Sequence, residues 1–197
     1  MNPSLAAEAV VGAGRGALIE AIFGAAWLGW GLGVAGAFDK HSVGPALGLL
    51  ELFLLACSIH VIRKGRRLRK RFPPLPASLR KTMLKSYLLV VFWEALAIFC
   101  AWILSTLLHR PDLGADWYAM VVGAHFLPLA RIFRSPHLGV IGILIVSWCV
   151  LCWTLFRSRD LVISVTLGTG TLLWGAALSA LYNARKIAHS IDQVQEF

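Results

Sequence analysis

The sequence predicts an all-α, polytopic integral membrane protein: one bundle of six transmembrane helices with both termini on the cytoplasmic side. Three observations carry that prediction. Hydrophobic residues make up 58% of the 197-residue chain and charged residues only 15%, whereas soluble domains run nearer a quarter charged. Six apolar segments are long enough to cross a bilayer, which takes about 20 residues at ~1.5 Å rise each. Ten of the 19 Lys and Arg residues lie between Arg63 and Lys85, a stretch with no acidic residue. A basic cluster between two apolar runs is the mark of a cytoplasmic loop.

The first segment, residues 17–37, follows an N-terminus expected to be retained. Residues 1–16 hold Glu8 and Arg15 but no cleavable signal pattern, and the apolar run behind them can span by itself. Gly29 and Gly33 in that run form a G-x-x-x-G, which lets helices approach closely. Packing inside one bundle is the expected use, with a homodimer as the alternative. Asp39, Lys40 and His41 then lead to Pro45 and the second segment, 45–63.

The basic stretch 64–85 reads as the cytoplasmic loop, punctuated by Pro73, Pro74 and Pro76. The net charge of +9 raises nucleic acid as a partner, but charge concentrated beside a membrane span favours anionic lipid headgroups. Arg66, Arg67, Arg69, Lys70 and Arg71 are the residues expected to touch them, and no nucleic acid is expected. The third segment is 86–107. Arg110, Pro111 and Asp112 separate it from the fourth, 116–132. A turn at Arg134, Ser135 and Pro136 leads to the fifth, 138–156, and one at Arg157 to Asp160 leads to the sixth, 161–184. Connections this short make consecutive helices antiparallel neighbours in a single domain over 1–197. Arg157 and Arg159 fall on the outer side and run against the charge rule.

Charged groups near a bilayer centre cost at least ~2.5–3.5 kcal/mol, so each one inside a span is a candidate site. Here they are Glu20, Glu51, His60, Glu94 and His125. Glu94 lies seven residues past Tyr87, and His125 six residues before Arg131, which puts both roughly 10 Å from the cytoplasmic edge. They are expected to pair, either as a functional unit or as a structural hydrogen bond. Glu51 has no charged neighbour in sequence and must find a partner or carry a proton. Glu20 and His60 lie within about two turns of the boundary and are expected to reach interfacial water. Pro128 removes the bond to the Ala124 carbonyl, so the fourth helix should kink with that carbonyl turned to a polar pocket. Gly123 admits another backbone or a small ligand, and Arg131 anchors to headgroups.

Cys149 and Cys152 spell C-x-x-C, a spacing thiol oxidoreductases use. Cys57 and Cys100 lie inside other helices, so no second pair stands in an outer loop, and the two are expected as small core residues. No E-x-x-H or H-x-x-x-H pair offers two metal ligands on one face, and no nucleotide or hydrolase motif is present. No metal or cofactor is expected. At residues 123–130, GAHFLPLA, the chain resembles small bacterial six-helix membrane proteins that carry a G-x-H-F-x-P-x-A signature in the fourth helix. The resemblance implies a bacterial inner-membrane protein and points to Gly123, His125 and Pro128, but implies no activity. The expected function is carriage of a small solute or ion along a pathway of carboxylate and histidine groups. An intramembrane enzyme, metal-dependent or thiol redox, and a structural subunit are the alternatives.

Overall fold

The computed structural model describes residues 3–37, 43–74, 76–110, 112–133 and 135–194; the Asp39–His41 connector, Pro111 and Arg134 lie outside them. The elements are six helices: α1 Pro3–Ala35, α2 Val43–Arg69, α3 Ala77–Leu107, α4 Asp112–Phe133, α5 Pro136–Leu155 and α6 Ser158–Val194. Five of them are long and apolar enough to cross a membrane, and α4 is the exception. It holds Asp112, Asp116, His125 and Arg131 within 22 residues.

The helices outrun the apolar segments. α1 begins at Pro3 instead of 17, α2 runs to Arg69, α3 starts at Ala77 and α6 covers 158–194. The expected loop 64–85 therefore shrinks to residues 70–76. Loss of apolarity marks where a chain leaves hydrocarbon, and it does not end a helix. Lys and Arg are good helix formers, and nothing interrupts the ladder before Pro73, Pro74 and Pro76. At 37 residues α6 is about 55 Å long, well beyond the ~30 Å of a hydrocarbon core. The overhanging turns have a core of their own. Ala6, Ala7 and Val10 of α1 pack with Leu68 of α2 and with Ala184, Ala188 and Ile191 of α6. Close approach there needs Gly65, because a Cβ on it would lie 2.9 Å from the Val11 backbone nitrogen.

α6 is the hub, packing on α1, α2, α4 and α5, while α4 also packs on α5 and α3. The consecutive helices α2 and α3 do not touch, and α3 packs on α4 alone. That corrects the expectation that every consecutive pair is adjacent. A connector over 70–76 can span about 23 Å when extended, ample for two helices to part. α3 consequently leaves Leu88, Leu89, Phe92, Trp93 and Phe99 bare. An apolar face of that size is stable in hydrocarbon and not in water.

The glycine contacts also differ from expectation. Gly29 and Gly33 face open space, with nothing within 4 Å of a Cβ built on either. The α1–α6 crossing runs instead through Gly24 and Gly170, each of which would press a Cβ against the other's carbonyl oxygen, at 3.1 and 2.8 Å. α1 ends in paired bonds from Ala37 to Leu32 and from Gly36 to Gly33, with Gly36 at φ 72° supplying the left-handed residue. The arginines that broke the charge rule close helix ends. Arg159 donates to the Val34 carbonyl at 2.7 and 3.0 Å, and Arg157 donates to the Trp153 and Phe156 carbonyls at the end of α5. Cations suit the orphan carbonyls of a helix C-terminus.

Candidate functional site

Antiparallel packing of α3 on α4 brings Tyr87 beside Phe133, Glu94 beside His125 and Ser105 beside Gly114. Glu94 Oε1 is 3.3 Å from His125 Nδ1. The same ring nitrogen is 2.5 Å from the Val122 carbonyl oxygen. A carbonyl only accepts, so Nδ1 carries the hydrogen and shares it between the carbonyl and the carboxyl. His125 Nε2 is left with no hydrogen-bond partner among the described residues. The imidazole thus has one nitrogen fixed by the helix and the other open to take a proton, with a carboxyl alongside to balance the charge a second proton brings. Both side chains are half-buried, so the seam between α3 and α4 leaves them reachable.

α4 runs unbroken from Asp112 to Phe133 with Pro128 inside it. The carbonyl that takes the ring is that of Val122, and Ala124, whose carbonyl Pro128 frees, is exposed. A regular ladder carbonyl can accept a second donor, so the histidine needs no broken turn. Gly123 is buried against α5 and admits a backbone. A Cβ on Gly142 would sit 2.6 Å from the Gly123 carbonyl oxygen.

The remaining expected residues are dispersed. Glu20 is only 4% exposed and lies mid-way along α1, with Oε2 unpartnered. It does not reach interfacial water as its sequence position suggested, because α1 continues well beyond it. His60 is exposed on α2. Glu51 is half-buried with the Trp174 indole near it, and neither of its carboxylate oxygens makes a hydrogen bond of normal geometry among the described residues. The nearby Trp174 indole donates instead to the Ala21 carbonyl at 3.0 Å. Arg131 is exposed. Of the five basic residues expected at headgroups, Arg69 pairs with Glu8 at 3.5 Å and Arg71 with Asp192 at 3.3 Å.

One buried carboxyl escaped the sequence reading. Asp116 is 0% exposed, and neither of its oxygens has a partner among the described residues. It was legible in principle: it is in phase with the buried stripe Ala119, Gly123 and Phe126, a 3–4 spacing that marks one helix face. Taken as the first residue of a span, it looked like a boundary group. It faces Cys149 and Cys152 of α5, both fully buried and free. Thiol exchange needs an accessible thiolate, which that burial withholds. His137 was also overlooked. Its Nε2–H donates to the Ala176 carbonyl at 3.3 Å and its Nδ1 accepts from Ser179 Oγ at 3.5 Å, tying α5 to α6. Among the described residues, no three His, Cys, Asp or Glu side chains stand close enough to hold a metal ion.

Comparison of the chain with protein-family models, with curated proteins and with solved structures found no match. Function must therefore be argued from the side chains themselves.

Proposed function

We propose that the protein is a small-solute or ion transporter of a bacterial inner membrane, with Glu94 and His125 as its proton-exchanging pair. The observation that carries this reading is the geometry of the imidazole: Nδ1 held by Val122 and Glu94, Nε2 without a partner. A proton site in a transporter must load and unload, so it needs one fixed and one open nitrogen. Further carboxyls at other levels, Glu51, Glu20 and Asp116, each have at least one oxygen without a partner among the described residues. Carboxylic acids inside a membrane bundle mark ion and proton pathways. In this reading α4 crosses along with the other five helices, both termini are cytoplasmic, and anionic lipids contact the basic end of the bundle. The G-x-H-F-x-P-x-A resemblance supports His125 and the same location.

The test uses proteoliposomes loaded with a pH-sensitive dye. Gradients of sodium, potassium and a panel of small neutral and anionic solutes are imposed in turn. At least one should drive a proton flux that falls tenfold or more in both Glu94→Gln and His125→Gln. Flux unchanged in the two variants, or none with any gradient, would sink the proposal.

A further inference from the structure

The residues of α2 beyond its apolar run do not form an even basic surface. His60, Arg63 and Arg67 of α2 recur at three- and four-residue spacing, which sets them on one face of the helix, with Lys64 next to Arg63 and Arg71 in the turn just past the helix end. They line a cleft of about 410 Å³ whose far wall is Asp192 of α6. Arg66, near the end of α2, and Lys70, just past it, are exposed and do not line the cleft. Within the cleft four permanent cations face one carboxylate. Lys64 Nζ is 3.2 Å from Asp192 Oδ2 and Arg71 Nη1 is 3.3 Å from Oδ1, so the single acid is already shared. Arg63 and Arg67 have no ion-pair or hydrogen-bond partner among the described residues.

Two guanidinium groups one helical turn apart, backed by two further cations, suit a ligand with several acceptor oxygens and more than one negative charge. A phosphate monoester is such a group: it carries nearly two charges at neutral pH and accepts paired bonds from Arg. The cleft also has a direction. From Arg67 to His60 it runs about 10 Å along α2 toward the apolar part of the helix. There Ile59, Phe53, Leu52 and Leu49 are exposed, and α3 does not cover them. A charged pocket that opens onto a bare apolar helix face matches an amphipathic ligand with its headgroup at the membrane surface.

We propose that this cleft binds a phosphate monoester carried by a lipid, whose acyl chain lies along the uncovered face of α2. The site is separate from Glu94 and His125, so it stands or falls independently of the transport reading.

The purified protein in a neutral detergent is titrated with dioctanoyl phosphatidic acid, dioctanoyl phosphatidylcholine and inorganic phosphate. Binding is followed by native mass spectrometry and by the shift in melting temperature. Phosphatidic acid should bind one per chain, at least tenfold tighter than either other probe. Arg63→Gln with Arg67→Gln should weaken it tenfold or more, whereas Arg66→Gln with Lys70→Gln, an equal loss of charge outside the cleft, should change it less than twofold. Equal weakening by the two double variants would reduce the effect to surface charge and overturn the site. Phosphatidylcholine binding as tightly would overturn the monoester, and inorganic phosphate binding as tightly would overturn the lipid as its source. Unaltered melting behaviour of the variants without lipid establishes that they fold.

Discussion

At the scale of single residues, Glu94 and His125 illustrate how a group that hydrocarbon penalises is stabilised by a second one. Glu94 alone would leave its carboxyl unpartnered in an apolar seam, an outcome that costs about 1–3 kcal/mol for a neutral group. Together with the Val122 carbonyl they satisfy the ring nitrogen and one carboxylate oxygen. Removal of both partners should therefore harm less than the two single removals added together. In thermal unfolding of the detergent-solubilised protein, Glu94→Gln and His125→Gln should each lower stability. The double variant should lose less than the sum, with a coupling of about 1 kcal/mol. Strict additivity would mean that the 3.3 Å contact has no energetic content. Asp116 makes the opposite point, since no described neighbour offers it a hydrogen bond. A buried acid without a partner contributes nothing to folding and is the kind of group that function retains.

At the scale of elements, contact between helices is decided by which glycines face which backbones. Gly123 and Gly142 bring α4 and α5 together. A Cβ on Gly142 would lie 2.6 Å from a backbone oxygen and 3.0 Å from Phe126 Cβ, and neither can swing aside as a side-chain tip would. Gly142→Ala should lower stability by about 1–3 kcal/mol, the usual range for overpacking. Gly29→Ala and Gly33→Ala meet open space. They should be neutral or stabilise by up to about 1 kcal/mol, because alanine restricts the unfolded chain and favours the helix. Melting temperatures of the three variants check both claims at once. A loss at Gly29 or Gly33 comparable to that at Gly142 would mean that the exposed face of α1 has a partner in solution.

At the scale of the whole molecule, α6 and α1 form a spine that outruns the apolar segments, and the basic cleft sits on its overhang. The proposed orientation puts that overhang in the cytoplasm. In a cysteine-free background, single cysteines at Ser78 on the first turn of α3, Ser190 near the end of α6 and Thr154 near the end of α5 are all exposed. A membrane-impermeant maleimide added to intact cells should label position 154 and spare 78 and 190. Labelling of 78 from outside would invert the assignment. The arginines that oppose it in sequence, Arg157 and Arg159, are occupied in capping helix ends.

Hydrophobic run length by itself determined the number of helices and their order, because burying or solvating about 20 apolar residues is a local, additive matter. The pairing of Glu94 with His125 was legible for a related reason. Distances along a helix follow from a fixed rise per residue, so two groups at matching height on antiparallel helices can be aligned by counting. Lateral arrangement cannot be counted in that way. Nothing in the residues of α2 and α3 announces that these neighbours part, that Gly24 and not Gly29 meets α6, or that Arg63 and Arg67 turn into a cleft while Arg66 turns out. Those outcomes depend on the rotation of each helix about its axis. That rotation is set by the shape fit of all its neighbours together, and it is why only the tertiary structure sorted ten clustered basic residues into helix, ion pairs and pocket.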